Sequence, residues 1–224
     1  MALVEVKRPI DTKDRALDLA LLAYILKRSG PFYGRTKLQK ATFLVELGLR
    51  ERHLIGPRFR FYRHDHGPFS KDLLDAYEWL ERCGFATHDA PGLTKRGKLL
   101  AEFVEALKEE PDNREVFEQI DPILEKCRPL NGSELKERLY EIDVRPERGS
   151  AKVKVRDIPA GTDIVAPAGA HTLKVPADLK RLILEELELT DDQIEQAERD
   201  WSRTEKRALN RLRDAISDER RHSE

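Results

Sequence analysis

Apolar residues recur at helical spacing through Leu17, Ala20, Leu21, Tyr24 and Ile25, which predicts a helix from about Asp14 to Ser29 with one apolar stripe. Gly30-Pro31 ends it. Thr36 reads as the cap of a second helix carrying Leu38, Ala41, Thr42, Val45 and Leu49 on one face, and Gly56-Pro57 breaks the chain. Arg58-Phe59-Arg60-Phe61-Tyr62-Arg63 alternates basic and aromatic at its start and predicts a short strand or extended loop with one face buried. Gly67-Pro68 turns the chain, and Ser70 caps a third helix with Leu73, Leu74, Tyr77 and Leu80 on its buried side. Gly84 ends that helix. Asp89-Ala90-Pro91-Gly92 is a turn between two short extended pieces, and Thr94 caps a fourth helix carrying Leu99, Leu100, Phe103, Val104 and Leu107. Helix, helix, helix, hairpin, helix is the order of a winged-helix domain.

Pro111-Asp112-Asn113 marks the expected end of that domain. A helical connector follows over 112–143, with helices near 114–127 and 133–141. Residues 144–176 turn richer in Pro and Gly, with strand candidates at Lys152–Arg156 and Ile164–Ala166. A helix is expected from about Ala177 to Leu189. Thr190-Asp191-Asp192-Gln193 is then a capping box opening a long final helix to about Asp218. Ile194, Ala197, Trp201, Ala208, Leu212 and Ala215 form its stripe, and Leu209, Leu212 and Ile216 are candidates for a face that seats on a partner helix. The expected class is mainly α (α+β): an N-terminal winged-helix-like domain over 1–111, and a smaller α/β C-terminal extension over 144–224 ending in a long helix.

Charge adds an asymmetry. The chain of 224 residues has a net charge of −1, with 37% charged and 39% hydrophobic residues. Residues 1–67 hold 14 Lys and Arg against 7 Asp and Glu (14 − 7 = +7), and residues 112–224 hold 21 against 26 (21 − 26 = −5). A basic front and an acidic rear suit nucleic-acid contact, and suit charge matching within or between copies equally well. Abundant Arg and Glu with scarce Asn, Gln, Cys and Met give a thermophile-like composition. No apolar run reaches membrane-spanning length and no leader peptide is recognisable, so a cytoplasmic location is expected. Cys83 and Cys127 fit no metal or disulfide framework, and Cys83 reads as a small core hydrophobe.

Three motifs stand out: Arg35-Thr36-Lys37-Leu38-Gln39-Lys40, His66-Gly67-Pro68-Phe69-Ser70, and Leu93-Thr94-Lys95-Arg96-Gly97. Together they resemble the Panacea antitoxin domain and its YwgA-like, phage-associated relatives, over about residues 14–108. The resemblance departs at His66, where the family pattern has Tyr. Proteins similar to these occur as antitoxins, as proteolysis-adaptor-like proteins and beside mobile elements, and the resemblance implies a role of that kind. Fold likeness does not carry function by itself, and residues 112–224 match no familiar pattern.

The candidate contacts to a partner or nucleic acid are Arg35, Lys37, Lys40, Arg58, Arg60, Arg63, Lys95, Arg96 and Lys98. For Lys37 and Lys40 the alternative is an outer face solvated by ammonium groups. For Arg58, Arg60 and Arg63 it is an amphipathic strand with aromatics inward, in place of base stacking. The helix that would enter a DNA groove carries Asp72, Asp75, Glu78 and Glu81 against Lys71 and Arg82, and phosphate repulsion opposes its insertion. His64 and His66 lack the further Cys or His ligands that zinc takes, so no metal is expected. No nucleophile-elbow, phosphate-loop or zinc-hydrolase motif is present, and neither an enzyme activity nor a cofactor is expected. The expected function is a cytoplasmic protein-interaction module binding a protein partner, such as a toxin or a second copy. The alternative is a winged-helix nucleic-acid-binding transcriptional regulator.

Overall fold

A computed structural model describes residues 12–30, 32, 34–146, 151–166 and 172–176. All belong to the first of two compact units into which the chain divides, residues 1–180. The helices predicted beyond Ala177, including Leu209, Leu212 and Ile216, lie outside the described residues.

The described residues are mainly helical. Helix α1 (Thr12–Arg28) is the centre of the packing. Its expected stripe is buried, and so are Leu19, Leu22, Ala23 and Leu26. A helix apolar on every side must be wrapped by others, and α1 packs against α4 (Lys95–Ala106), α3 (Lys71–Arg82), α2 (Arg35–Glu51) and α5 (Arg114–Cys127). Helix α2 begins one residue before Thr36. Gly34, at φ 120°, is the residue before its first turn and caps with no side chain, so Thr36 is not the cap expected of it. Ser70 and Thr94 do cap: their hydroxyls accept from Leu73 N at 3.1 Å and Gly97 N at 3.2 Å.

The regular hairpin of the fold precedes α3, and the expected wing is reduced to a single bridge. Strands β1 (Phe61–His64) and β2 (Gly67–Phe69) pair antiparallel between α2 and α3, with Tyr62 opposite Phe69. The segment expected to form a wing, 85–93, has one bridge between Ala86 and Leu93. Two backbone hydrogen bonds flank that bridge, Thr87 N to Gly92 O at 3.1 Å and Thr94 N to Phe85 O at 3.0 Å, and the Thr87 hydroxyl closes the turn by donating to Ala90 O at 2.6 Å.

Packing continues across the break expected at Pro111. Asn113 is buried, donates to Leu107 O at 3.0 Å and Lys174 O at 2.8 Å, and accepts from Lys174 N at 2.6 Å. Helices α5 and α6 (Gly132–Tyr140) both lie on α2, where Ala41, Cys127 and Leu135 share a buried cluster. Strand β5 (Asp163–Val165) joins β1 to make the sheet order β2-β1-β5. A second pair, β3 (Asp143–Val144) with β4 (Val153–Lys154), is shorter than the strand expected at 152–156, because Val155–Asp157 winds into a 3-10 turn. Two side chains depart from their expected places. Leu99 is 49% exposed, and Cys83 is half-buried at the end of α3 rather than in the core.

Candidate functional site

The first two motifs interlock. The Gln39 side chain donates to Ser70 O and accepts from Ser70 N, both at 2.8 Å, as a second strand would. Lys40 Nζ donates to Pro68 O at 2.8 Å. The turn between them requires Gly67: its φ is +90°, and a Cβ there would lie 3.4 Å from Lys40 Nζ and from Tyr140 Cε1. In the third motif, Thr94 also donates to Gly84 O at 2.7 Å, fixing the entry of α4 beside the end of α3. Gly97 lets α4 approach Phe85, whose carbonyl oxygen would be 2.0 Å from an added Cβ.

Lys37 and Lys40 are therefore neither free contacts nor a solvated face. Both are buried, and Lys37 Nζ donates to Arg128 O at 2.9 Å near the end of α5. Burial lowers the Lys37 ammonium, and it brings Lys40 down to about 8, with Lys136 and Arg63 adding like-charge repulsion. A helix face can bury lysine only where carbonyl oxygens wait for the ammonium, and the hairpin and α5 supply them.

The remaining basic candidates are mostly engaged as well. Arg58, in a left-handed conformation at φ 57°, reaches Asp18 on α1 at 3.1 Å. The adjoining Glu46 is fully enclosed and accepts from Phe59 N at 2.9 Å. Burial pushes its carboxyl up to about 8, and Asp18 acts in the same sense. Arg60 pairs with Asp163, and Arg63 donates from Nε to Val155 O at 3.2 Å with its guanidinium over the Tyr140 ring. Arg35 lies 3.2 Å from Glu78 and 3.6 Å from Glu81, so two of the acidic groups on α3 face a cation of α2. Arg96 lies over the Phe85 ring at 4.6 Å. Lys95 and Lys98 stay exposed on the first turn of α4.

His64 and His66 are exposed, and with Tyr62 and Phe69 they form a run of ring contacts along one side of the hairpin. Among the described residues no three Cys, His, Asp or Glu gather closely enough to hold a metal ion. None of the described helices is long and apolar enough to cross a membrane.

Sequence reasoning missed Glu46, Asn113, Lys136 and Tyr140. Each gains its role from a partner far along the chain, such as Tyr140, which donates to Asp65 O at 3.0 Å. The Asn131–Glu134 capping box had a visible signal, Asn followed three residues on by Glu, and it starts α6 at Gly132. Comparisons with protein-family profiles, curated proteins and solved structures return no match to this chain.

Proposed function

We propose that this chain is a cytoplasmic protein-interaction module, antitoxin-like, that binds a protein partner from a mobile-element or defence locus. The supporting observation is where the motif charges go. Lys37 and Lys40 turn inward to backbone carbonyls, and Arg35, Arg58 and Arg60 face carboxylates of the same chain. The motifs then act as a scaffold, winged-helix-like in its helices α1 to α4. Among the described motif residues, little basic charge is left to neutralise phosphates, whose contacts dominate nucleic-acid affinity. Binding would bury an apolar face flanked by matched charge.

The test is co-expression with the product of the neighbouring reading frame. The expected result is a toxic neighbour silenced by this chain, in a stable complex that is lost on truncation after Leu189. A harmless neighbour that forms no complex, together with tight sequence-specific DNA binding by this chain, would overturn the reading.

A nucleic-acid-binding regulator is the second reading, favoured by the exposed Lys95 and Lys98 at the start of α4. Its decisive variant is Lys95→Glu with Lys98→Glu. Charge reversal at Lys37 or Lys40 would place carboxylates against carbonyl oxygens and unfold the scaffold instead.

A further inference from the structure

Three cations from three elements converge on the turn of the β1–β2 hairpin. Lys40 comes from α2, Arg63 from β1 and Lys136 from α6. The Arg63 guanidinium carbon is 5.2 Å from the Tyr140 ring centroid, and the Lys136 ammonium is 5.4 Å from the same centroid. Lys40 Nζ and Tyr140 Cε1 both come within 3.4 Å of the position a Cβ would take on Gly67, so the ammonium and the ring are neighbours across the turn. The Tyr140 hydroxyl is tied to Asp65 O, which fixes the ring between hairpin and helix.

This cluster differs from several other cations of the fold. Arg28, Arg35, Arg58, Arg60, Lys108 and Arg156 each face a carboxylate. Among the described residues, Lys40, Arg63 and Lys136 have no ion-pair partner. The groups whose charges act on the Lys40 ammonium are Lys136 and Arg63, both of like sign. A second observation is independent of charge. Arg63 engages Nε with Val155 O, but its Nη1 is closed off from solvent and has no hydrogen-bond partner. A shielded guanidinium donor without an acceptor is unfavourable, and a cluster of unneutralised cations adds to that cost. An acceptor carrying negative charge would relieve both.

We propose that Arg63 and Lys136, gathered around Tyr140 beside the enclosed charge of Lys40, form a binding site for a small oxyanion of the phosphate class. A dianion matches several positive charges better than a single carboxylate does. The guanidinium supplies a planar fork for phosphate oxygens, and the ammonium groups act as point charges beside it. The site is independent of the partner-binding reading.

Titration calorimetry of inorganic phosphate into the full chain, at constant ionic strength held with chloride, tests it. The expected result is saturable binding at one site per chain. Lys136→Gln, a substitution on the half-buried side of α6, weakens it by about tenfold, the scale of one lost charge-assisted contact. Arg63→Lys, which keeps the charge and removes the fork, weakens it as well. Lys98→Gln, on α4, leaves it unchanged. Thermal melts followed by circular dichroism verify that each variant is folded. Competition by a nucleoside monophosphate at lower concentration than phosphate assigns the group to an ester, and failure to compete assigns it to the free ion. No heat beyond the chloride control, or equal affinity in folded Lys136→Gln and the parent chain, overturns the site.

Discussion

Glu46 and Lys40 are single residues whose burial makes the stability of the fold depend on pH in opposite ways. The Glu46 carboxyl is held up to about 8, above its ordinary range near 4.5. Between those values the folded chain keeps a proton that the unfolded chain has lost, so stability falls as pH rises from about 4.5 to 8. Glu46→Gln keeps an oxygen for Phe59 N–H and removes the titration. The unfolding free energy of this variant, from denaturant titrations across pH, is expected to lose that slope and to exceed the parent's at pH 8 by on the order of 2 kcal/mol or more. Lys40 has the reverse sign. Its ammonium is brought down to about 8 from 10.5, so the unfolded chain holds the extra proton and stability rises from about pH 8 to 10.5. Lys136→Gln removes one repelling charge and is expected to move the Lys40 midpoint upward, which titration of the lysine resonances by NMR would read. A midpoint that does not move would separate the two lysines.

Close approach between elements sets the cost of altering the motifs. Gly97→Ala would drive a methyl group into the Phe85 carbonyl, and α4 cannot retreat without losing Leu100 and Val104 from the core. A loss of about 2–3 kcal/mol is expected from denaturant unfolding, the usual range for overpacking. Gln39→Ala removes both hydrogen bonds to Ser70 and leaves its buried N–H unpaired, at a cost of roughly 1–3 kcal/mol. An unchanged denaturation midpoint in Gln39→Ala would mean the motif does not lock the hairpin, and in Gly97→Ala that α4 does not need its close approach to Phe85. Element identity was legible here from caps and periodicity: α3 begins after Ser70 and α4 after Thr94, as their hydroxyls dictate. The position of the hairpin was not legible. Phe61–His64 and Phe85–Leu93 carry similar turn signals, and only the distant strand β5 and the side chains of α2 decide which of them extends into a sheet.

At the scale of the whole molecule, the two functional readings differ in their response to salt. The partner-binding reading predicts DNA affinity no tighter than non-specific binding, roughly 10⁻⁴–10⁻⁶ M at physiological salt. A specific complex whose affinity falls steeply with salt and is lost in Lys95→Glu with Lys98→Glu would favour the regulator. The sequence by itself determined the mainly helical class, the order of the helices and the capping residues of α3 and α4. Periodicity and capping are local, so they survive without knowledge of the fold. It also supplied the motif residues, but with the wrong destination for Lys37 and Lys40. A lysine beside an apolar stripe looks the same whether water or a carbonyl receives its ammonium. Only the tertiary structure brought Pro68 and Arg128 to those two lysines, joined Phe61 to Val165, and gathered Lys40, Arg63 and Lys136 around one tyrosine. These contacts span long stretches of chain, and no pattern within a single helix or strand encodes them.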